Sequence, residues 1–229
     1  MNSDNISVLI RIRNGEQYVG FALQSVFDEF VNPEVIMLSD RCDDETLDIV
    51  QTFNSNDADY HNSKRDIKIY PVPQPYTPGS ALNYGVEKAN RDTILVLSSH
   101  CQIDTIGPYG FGEIEGLLND QGYVAVFGDQ TPIWRGKKIS KDYVWSHFGS
   151  EDQQNMWSMI ENRFFLHNAF CFYSKEQLQQ NKFNESMQGK EDREWAKRMV
   201  DKGKSYLYYS QAECNHFWTP PGATWKGLG

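Results

Sequence analysis

The chain has 229 residues, 39% hydrophobic and 23% charged, which is ordinary for a globular domain and long enough to bury a core without cross-links. A net charge of −9 repels a polyphosphate backbone and argues against a nucleic-acid partner, though it leaves room for a local basic pocket around one diphosphate. The four cysteines are widely spaced with no CxxC pair, which argues against a cysteine zinc site.

Residues 6–12 (ISVLIRI) form a short β-branched apolar run and predict a buried strand. Asn14 and Gly15 break it, and Val19, Ala22, Leu23, Val26 and Phe27 then recur at helical spacing. Residues 34–38 (EVIML) predict a second strand, 40–45 an acidic loop, and 46–53 a second helix. A polar stretch at 54–65 reads as surface loop. Residues 67–72 then predict a third strand, 79–89 a helix after the Pro78-Gly79 turn, and 93–97 (TILVL) a fourth strand. Continuous apolar strands alternating with helices indicate an α/β fold with a mostly parallel central sheet and helices on both faces.

The second half is less regular. Strands are expected at 124–127, 164–173 and 205–209, and a helix at 191–200. Residues 131–154 are polar and carry a basic patch of Arg135, Lys137, Lys138 and Lys141. With no repeat or linker, the expectation is a single domain over 1–229. The alternation over residues 1–104 is of the nucleotide-binding type, and residues 105–229 make a second, less regular half. No apolar run reaches bilayer length, and the first residues lack a signal-peptide pattern, so a cytoplasmic protein with reduced thiols is expected.

Four segments carry a resemblance: SVLIRIRNGEQYVGFALQSVF, EVIMLSDRCDDETLDIV, PGSALNYGVEKANRDTILVLSSHC and GKEDREWAKRMVDKG. In this order they resemble family 2 glycosyltransferases of GT-A fold, over nearly the whole chain. The resemblance implies an inverting transfer of a sugar from a nucleotide-sugar donor to a hydroxyl of a saccharide or lipid-linked acceptor. It also implies a setting in bacterial surface polysaccharide synthesis, such as capsule or lipopolysaccharide. A lipid-linked acceptor would bring peripheral contact with the inner face of a membrane; the oligomeric state is left open.

The site residues follow from the motifs. Asp40 stands just past a strand, at the carboxyl edge where open α/β sheets bind ligands, and the resemblance makes it a partner for the nucleotide base. Arg11, Arg13 and Asn14 end the first strand at the same edge. Arginine suits a diphosphate, while ion pairs with the acidic loop are the competing reading. Gly79 and Ala81 are small residues where the family lets a nucleotide approach, and Asn83 is a polar group on the same helix. Where most of the family carries Asp-x-Asp for a divalent cation, this chain reads Ser98-Ser99-His100-Cys101. That replacement leaves two outcomes open: a cation held by imidazole, with Mn²⁺ preferred to Mg²⁺, or metal independence. His216, in CNHFW, would pair with His100 as a second metal ligand or phosphate contact.

Glu191 and Asp192 match the family's Glu-Asp pair, which makes Asp192 the base and Glu191 its positioning partner. Helix N-terminal charge complementarity is the alternative for both. His167 and Asn168 are candidates for the floor of the acceptor site. Trp145, Trp157, Trp195 and Trp218 are candidate sugar-stacking faces, with burial as the default for each. Two other functions compete. A sugar nucleotidyltransferase would carry a Gly-rich loop where this chain has RIRNGEQY, with one glycine. A non-catalytic sugar- or nucleotide-binding domain of the same fold would explain the lost Asp-x-Asp but not the retained EDREWA.

Overall fold

A computed structural model describes residues 4–54, 65–138 and 147–220. The first half alternates strand and helix as expected: β1 (Ile6–Ile12), α1 (Val19–Glu29), β2 (Glu34–Ser39), α2 (Thr46–Asn54), β3 (Asp66–Pro71), α3 (Pro78–Lys88) and β4 (Thr93–Ser98). The start of α3 is fixed locally. The Thr77 hydroxyl accepts from Ser80 N–H while Ser80 accepts from Thr77 N–H, and Pro78 fills the first turn, where no donor is needed.

The second half supplies β5 (Cys101–Ile106), α4 (Phe111–Asn119), β6 (Ala125–Trp134), β7 (Lys137–Lys138), β8 (Gln153–Gln154), β9 (Trp157–Ser158), β10 (Arg163–Phe164), β11 (Phe170–Ser174), α5 (Lys175–Gln180), α6 (Glu191–Asp201) and β12 (Leu207–Phe217). The main sheet runs β3-β2-β1-β4-β11-β6-β12-β5. Its β3-β2-β1-β4 section is parallel, and β6 and β12 continue in that direction. Strands β11 and β5 run against them.

Alternate side chains of each strand feed two separate cores. Val8, Ile10, Val35, Met37, Leu95 and Leu97 pack with α1 and α4 on one face. Leu9, Ile36, Leu38, Ile94 and Val96 pack with α3, α5 and α6 on the other. At about 25 cal/mol per Å² of apolar surface removed from water, burial on both faces is what favours continuous apolar strands.

Three expectations are corrected. Residues 164–173 are not one strand. Phe164 belongs to the short β9–β10 ribbon, and residues 165–169 lie outside any strand before β11 starts at Phe170. The break frees the backbone N–H of Asn168 to bond Asp192 rather than a neighbouring strand. Strand β6 continues to Trp134 and β12 to Phe217, because the two pair in parallel far beyond the apolar runs at 124–127 and 205–209. Their register shifts between Tyr209 and Glu213. Lys141 and Trp145 lie outside the described residues.

Candidate active site

The carboxyl ends of β1, β2 and β4 meet at one edge of the sheet, and a cavity of about 310 Å³ opens there. Arg11, Arg13, Asn14, Asp40, Ser98, Ser99 and His100 all line it. Sequence distance does not separate these residues because β1 lies between β2 and β4. Arg11 pairs with Leu38 on one side and Ser98 on the other, and Ile12 pairs with Ser39.

The loops around the cavity clamp each other. Asn14, in a left-handed conformation, accepts from Asp43 N–H at 3.0 Å and donates to the Asp43 carboxylate. Gly15 N–H donates to Thr46 Oγ1 at 2.7 Å, and Glu16 N–H to Asp44 at 3.1 Å. The acidic loop is thus largely occupied in holding the β1–α1 turn. Asp40 is different. It is buried, lines the cavity, and accepts from Gln74 at 3.1 Å and from Arg41 at 3.2 Å, with Arg13 at 3.5 Å. The expected salt bridge between an arginine and the acidic loop is therefore present as Arg13–Asp40, while Arg13 itself stays exposed at the rim.

Arg11 links the cavity to the second half of the chain. Its guanidinium lies 3.5 Å from the Glu191 carboxylate. Burial works against its charge, but Tyr76, Glu191 and Asp192 outweigh that and raise its pKa. Glu191 and Asp192 open α6 side by side, both buried. Asp192 accepts from Arg193 N–H at 2.8 Å, from the Arg193 guanidinium at 2.8 Å and from Asn168 N–H at 3.0 Å. Burial alone would raise its pKa, but Arg193 and the Asn168 amide reverse the effect and hold it ionised below the usual range. Glu191 accepts from the Asn168 side chain at 3.3 Å and contacts Arg11. Burial and the neighbouring Asp192 push its carboxyl up, against the pull of Arg11.

Arg193 is shared. It reaches Glu161 at 3.5 Å and lies over the Phe165 ring at 4.5 Å, so its charge is neutralised and packed from several sides. The motif reading did not include Arg193 or Glu161. The signal available was the Arg directly after the acidic pair, but its partner Glu161 is distant in sequence.

His100 and His216 do meet. Their ring centroids are 4.7 Å apart, and His167 lies 6.3 Å from His216. His216 contacts Gln130 through Nδ1 at 2.9 Å, and His167 accepts from Ala169 N–H at 3.1 Å. Burial lowers all three imidazoles, to about 4 for His100, where Arg11 adds to the effect, and to about 3 for His167. These rings are neutral at pH 7. Among the described residues, no group of three or more His, Cys, Asp or Glu side chains is arranged to hold a metal ion. The strand end offers hydroxyls and one imidazole where the family's paired carboxylates would stand, a donor set that suits Mg²⁺ poorly.

Gly79, Ala81 and Asn83 are not among the residues that line this cavity. A Cβ on Gly79 would lie 2.6 Å from the Asn184 carbonyl oxygen, so the small residue serves a backbone-to-helix approach. Ala81 lies on the face of α3 that packs into the core. Asn83 clips the 183–185 segment: its amide donates to Phe183 C=O and Glu185, and its oxygen accepts from Phe183 N–H. Trp195 is also core, donating to Asn181 C=O at 2.6 Å and packed on Tyr173, whereas Trp157 and Trp218 are exposed. The cavity also draws in Gln17, Tyr18, Tyr76, Thr219 and Pro220, none of which the sequence analysis named as a site residue.

Residues 7–180 match the family model described as glycosyl transferase family 2. A Haemophilus influenzae protein described as an uncharacterized glycosyltransferase is 28% identical over 100 residues, 43% of this chain and 37% of that protein. Among solved structures, S. aureus TarS 1-349 superposes with a TM-score of 0.66 at 18% identity, over 97% of this chain and 62% of that one. GalNAc-T7 with UDP, GalNAc and Mn²⁺ gives 0.70 at 13%, over 96% and 45%. A Pyrobaculum calidifontis mannosyltransferase with GDP-Man and Mn²⁺ gives 0.66 at 14%, over 99% and 62%. These likenesses bear on the fold, which is of GT-A type. The chain spans less than two thirds of the length of each.

Proposed function

Because the chain belongs to glycosyl transferase family 2, we propose that it moves a sugar from a nucleoside-diphosphate donor to an acceptor hydroxyl, with inversion at the anomeric carbon. The observation that carries the reading is the convergence of three strand ends on one cavity, tied by Arg11 to the buried Glu191–Asp192 pair. The donor occupies the cavity. Asp40 accepts from the base, and Arg11, Arg13 and His100 face the diphosphate. The half at 1–104 holds the donor, and the half at 105–229 holds the acceptor and the base. Relatives of the same fold were solved with UDP-GlcNAc and with GDP-Man, which supports a donor of this class.

In the reaction, the acceptor oxygen bonds to the anomeric carbon as the bond from that carbon to the diphosphate oxygen breaks. Asp192 takes the acceptor's proton, from the face opposite the leaving group. An ionised carboxylate has about four acceptor positions, and three are filled by Arg193 and Asn168, so one remains for the acceptor hydroxyl. Glu191, bonded to Asn168 and near Arg11, positions the pair. Charge developing on the diphosphate meets the Arg11 guanidinium, which keeps its proton at any working pH.

The mismatch between the Ser98-Ser99-His100 end and a carboxylate-held cation gives a separate expectation. Turnover is either insensitive to chelation or supported better by Mn²⁺ than by Mg²⁺, and strict dependence on Mg²⁺ would contradict this. The function itself is tested by calorimetric titration with a panel of nucleoside diphosphates, then by the anomeric configuration of the product formed from the best-bound donor. Failure of every nucleotide to bind, or a product of retained configuration, would overturn it.

A further inference from the structure

The basic patch noted in the sequence has no part in the transfer chemistry, and its placement gives it another use. Strand β6 ends at Trp134 and turns through Arg135 and Gly136, both with positive φ, into β7, so that Trp134 pairs with Lys137 and Ile133 with Lys138. This two-residue hairpin holds Arg135, Lys137 and Lys138 exposed at fixed positions. Strand β12 runs parallel beside β6 and ends at the same place: Phe217 pairs with Ile133, and Trp218 N–H donates to Ile133 C=O at 2.8 Å. Trp134 and Trp218 are 43% and 37% exposed. The apolar band continues through Phe217 to Phe21 of α1, which is 53% exposed, with the two rings 5.8 Å apart.

Because β6 and β12 run in the direction of β1 and β4, this band lies at the same sheet edge as the cavity. Thr219 and Pro220, directly after Trp218, line the cavity, and so does Tyr18, stacked on Phe217 at 4.8 Å. Half-exposed aromatic rings beside fixed cations therefore border the cavity mouth.

We propose that this face docks on an anionic phospholipid bilayer, with Trp134 and Trp218 at headgroup depth and Arg135, Lys137 and Lys138 against lipid phosphates. The net charge of −9 does not oppose this, because salt screens charges beyond about 8–10 Å and only the cations nearest the surface act. Glu213 lies 3.8 Å from Lys138 and offsets one of the cations. A soluble phosphate-bearing saccharide is a weaker fit. The Arg135 guanidinium already lies over the Trp134 ring at 4.6 Å, on a face that sugar stacking would need, whereas indole rings flanked by cations suit the interface of a bilayer. Docking in this pose turns the cavity mouth toward the membrane, where a lipid-carried acceptor would be presented. The surface itself stands whether or not the transfer reaction is as proposed.

The test is co-sedimentation of the full chain with phosphatidylcholine vesicles and with vesicles also containing phosphatidylglycerol, at low and physiological salt. The expected result is binding only to the phosphatidylglycerol vesicles, weakened by salt. Lys137→Gln should weaken it roughly fivefold, Lys137→Glu with Lys138→Glu should abolish it, and Trp134→Ala should reduce it at either salt. Each variant is compared with the wild type by thermal melting and UDP titration. If the double variant fails to fold, Lys137→Gln and the wild-type salt series still decide the matter. Equal binding to both vesicle types, no binding to either, or Lys137→Gln binding like the wild type would overturn the proposal. So would a soluble polyphosphate that binds while vesicles do not.

Discussion

Replacing Asp192 with Asn separates the structural and chemical duties of that carboxylate. In the protein it accepts three hydrogen bonds, two from Arg193 and one from Asn168 N–H. An amide keeps one acceptor atom. Its best orientation leaves the oxygen to Asn168 N–H and the Arg193 guanidinium, and sets its own NH₂ against Arg193 N–H. One unmade buried hydrogen bond costs ~1–3 kcal/mol, and fully stripping a buried charge of its partner costs ~3–5 kcal/mol. Arg193 still has Glu161 at 3.5 Å, so the loss should lie between these, about 2–4 kcal/mol. A domain with ordinary stability of ~5–15 kcal/mol remains folded after such a loss. Urea denaturation measures this part. Turnover, followed as nucleoside diphosphate release under conditions where both proteins are folded, should fall by roughly 10²–10⁴-fold, the scale of a lost general base. Glu191→Gln should be milder, since Glu191 only positions. Unchanged stability would refute the Asp192–Arg193 pairing, and near wild-type turnover would refute Asp192 as the base.

Asp40→Ala should weaken nucleotide binding by ~1–3 kcal/mol in calorimetric titration, the worth of one buried polar contact, and unchanged affinity would remove Asp40 from the nucleotide site. Gly79→Ala should lower stability by ~1–3 kcal/mol through the clash with the Asn184 carbonyl, while nucleotide affinity is unaffected. An affinity loss in a still-folded Gly79→Ala protein would return that residue to the donor site. Stability should also fall as pH drops. Unfolded imidazoles titrate near ~6.5, whereas folded His100 and His167 titrate near 4 and 3 and His216 also lies well below its ordinary value. Between those limits the unfolded chain binds more protons. Each histidine then contributes a loss approaching ~1.4 kcal/mol per pH unit below ~6.5, detectable by denaturation at pH 7 and pH 5. A flat stability profile over that range would show that these rings are not held neutral.

The first four strands and the three helices between them were legible in the sequence because each is a local signal. Strands buried on both faces read as continuous apolar runs, and the helices show their own periodicity and breaks. The same logic placed Arg11, Asp40 and Ser98 correctly at one edge, since parallel strands joined by helices bring their carboxyl ends together. Local patterning did not reveal β5 or the lengths of β6 and β12, whose polar ends are strand only because they pair with each other. It also could not separate Gly79 and Asn83, which serve the packing of the 183–185 segment, from residues at the cavity. The sharing of Arg193 between Asp192 and Glu161 depends on a chain crossing that only the tertiary structure makes, whereas the meeting of His100 with His216 was expected from the resemblance. A sequence motif names the carboxylate, but the partners that fill its lone pairs and set its basicity come from elsewhere in the fold.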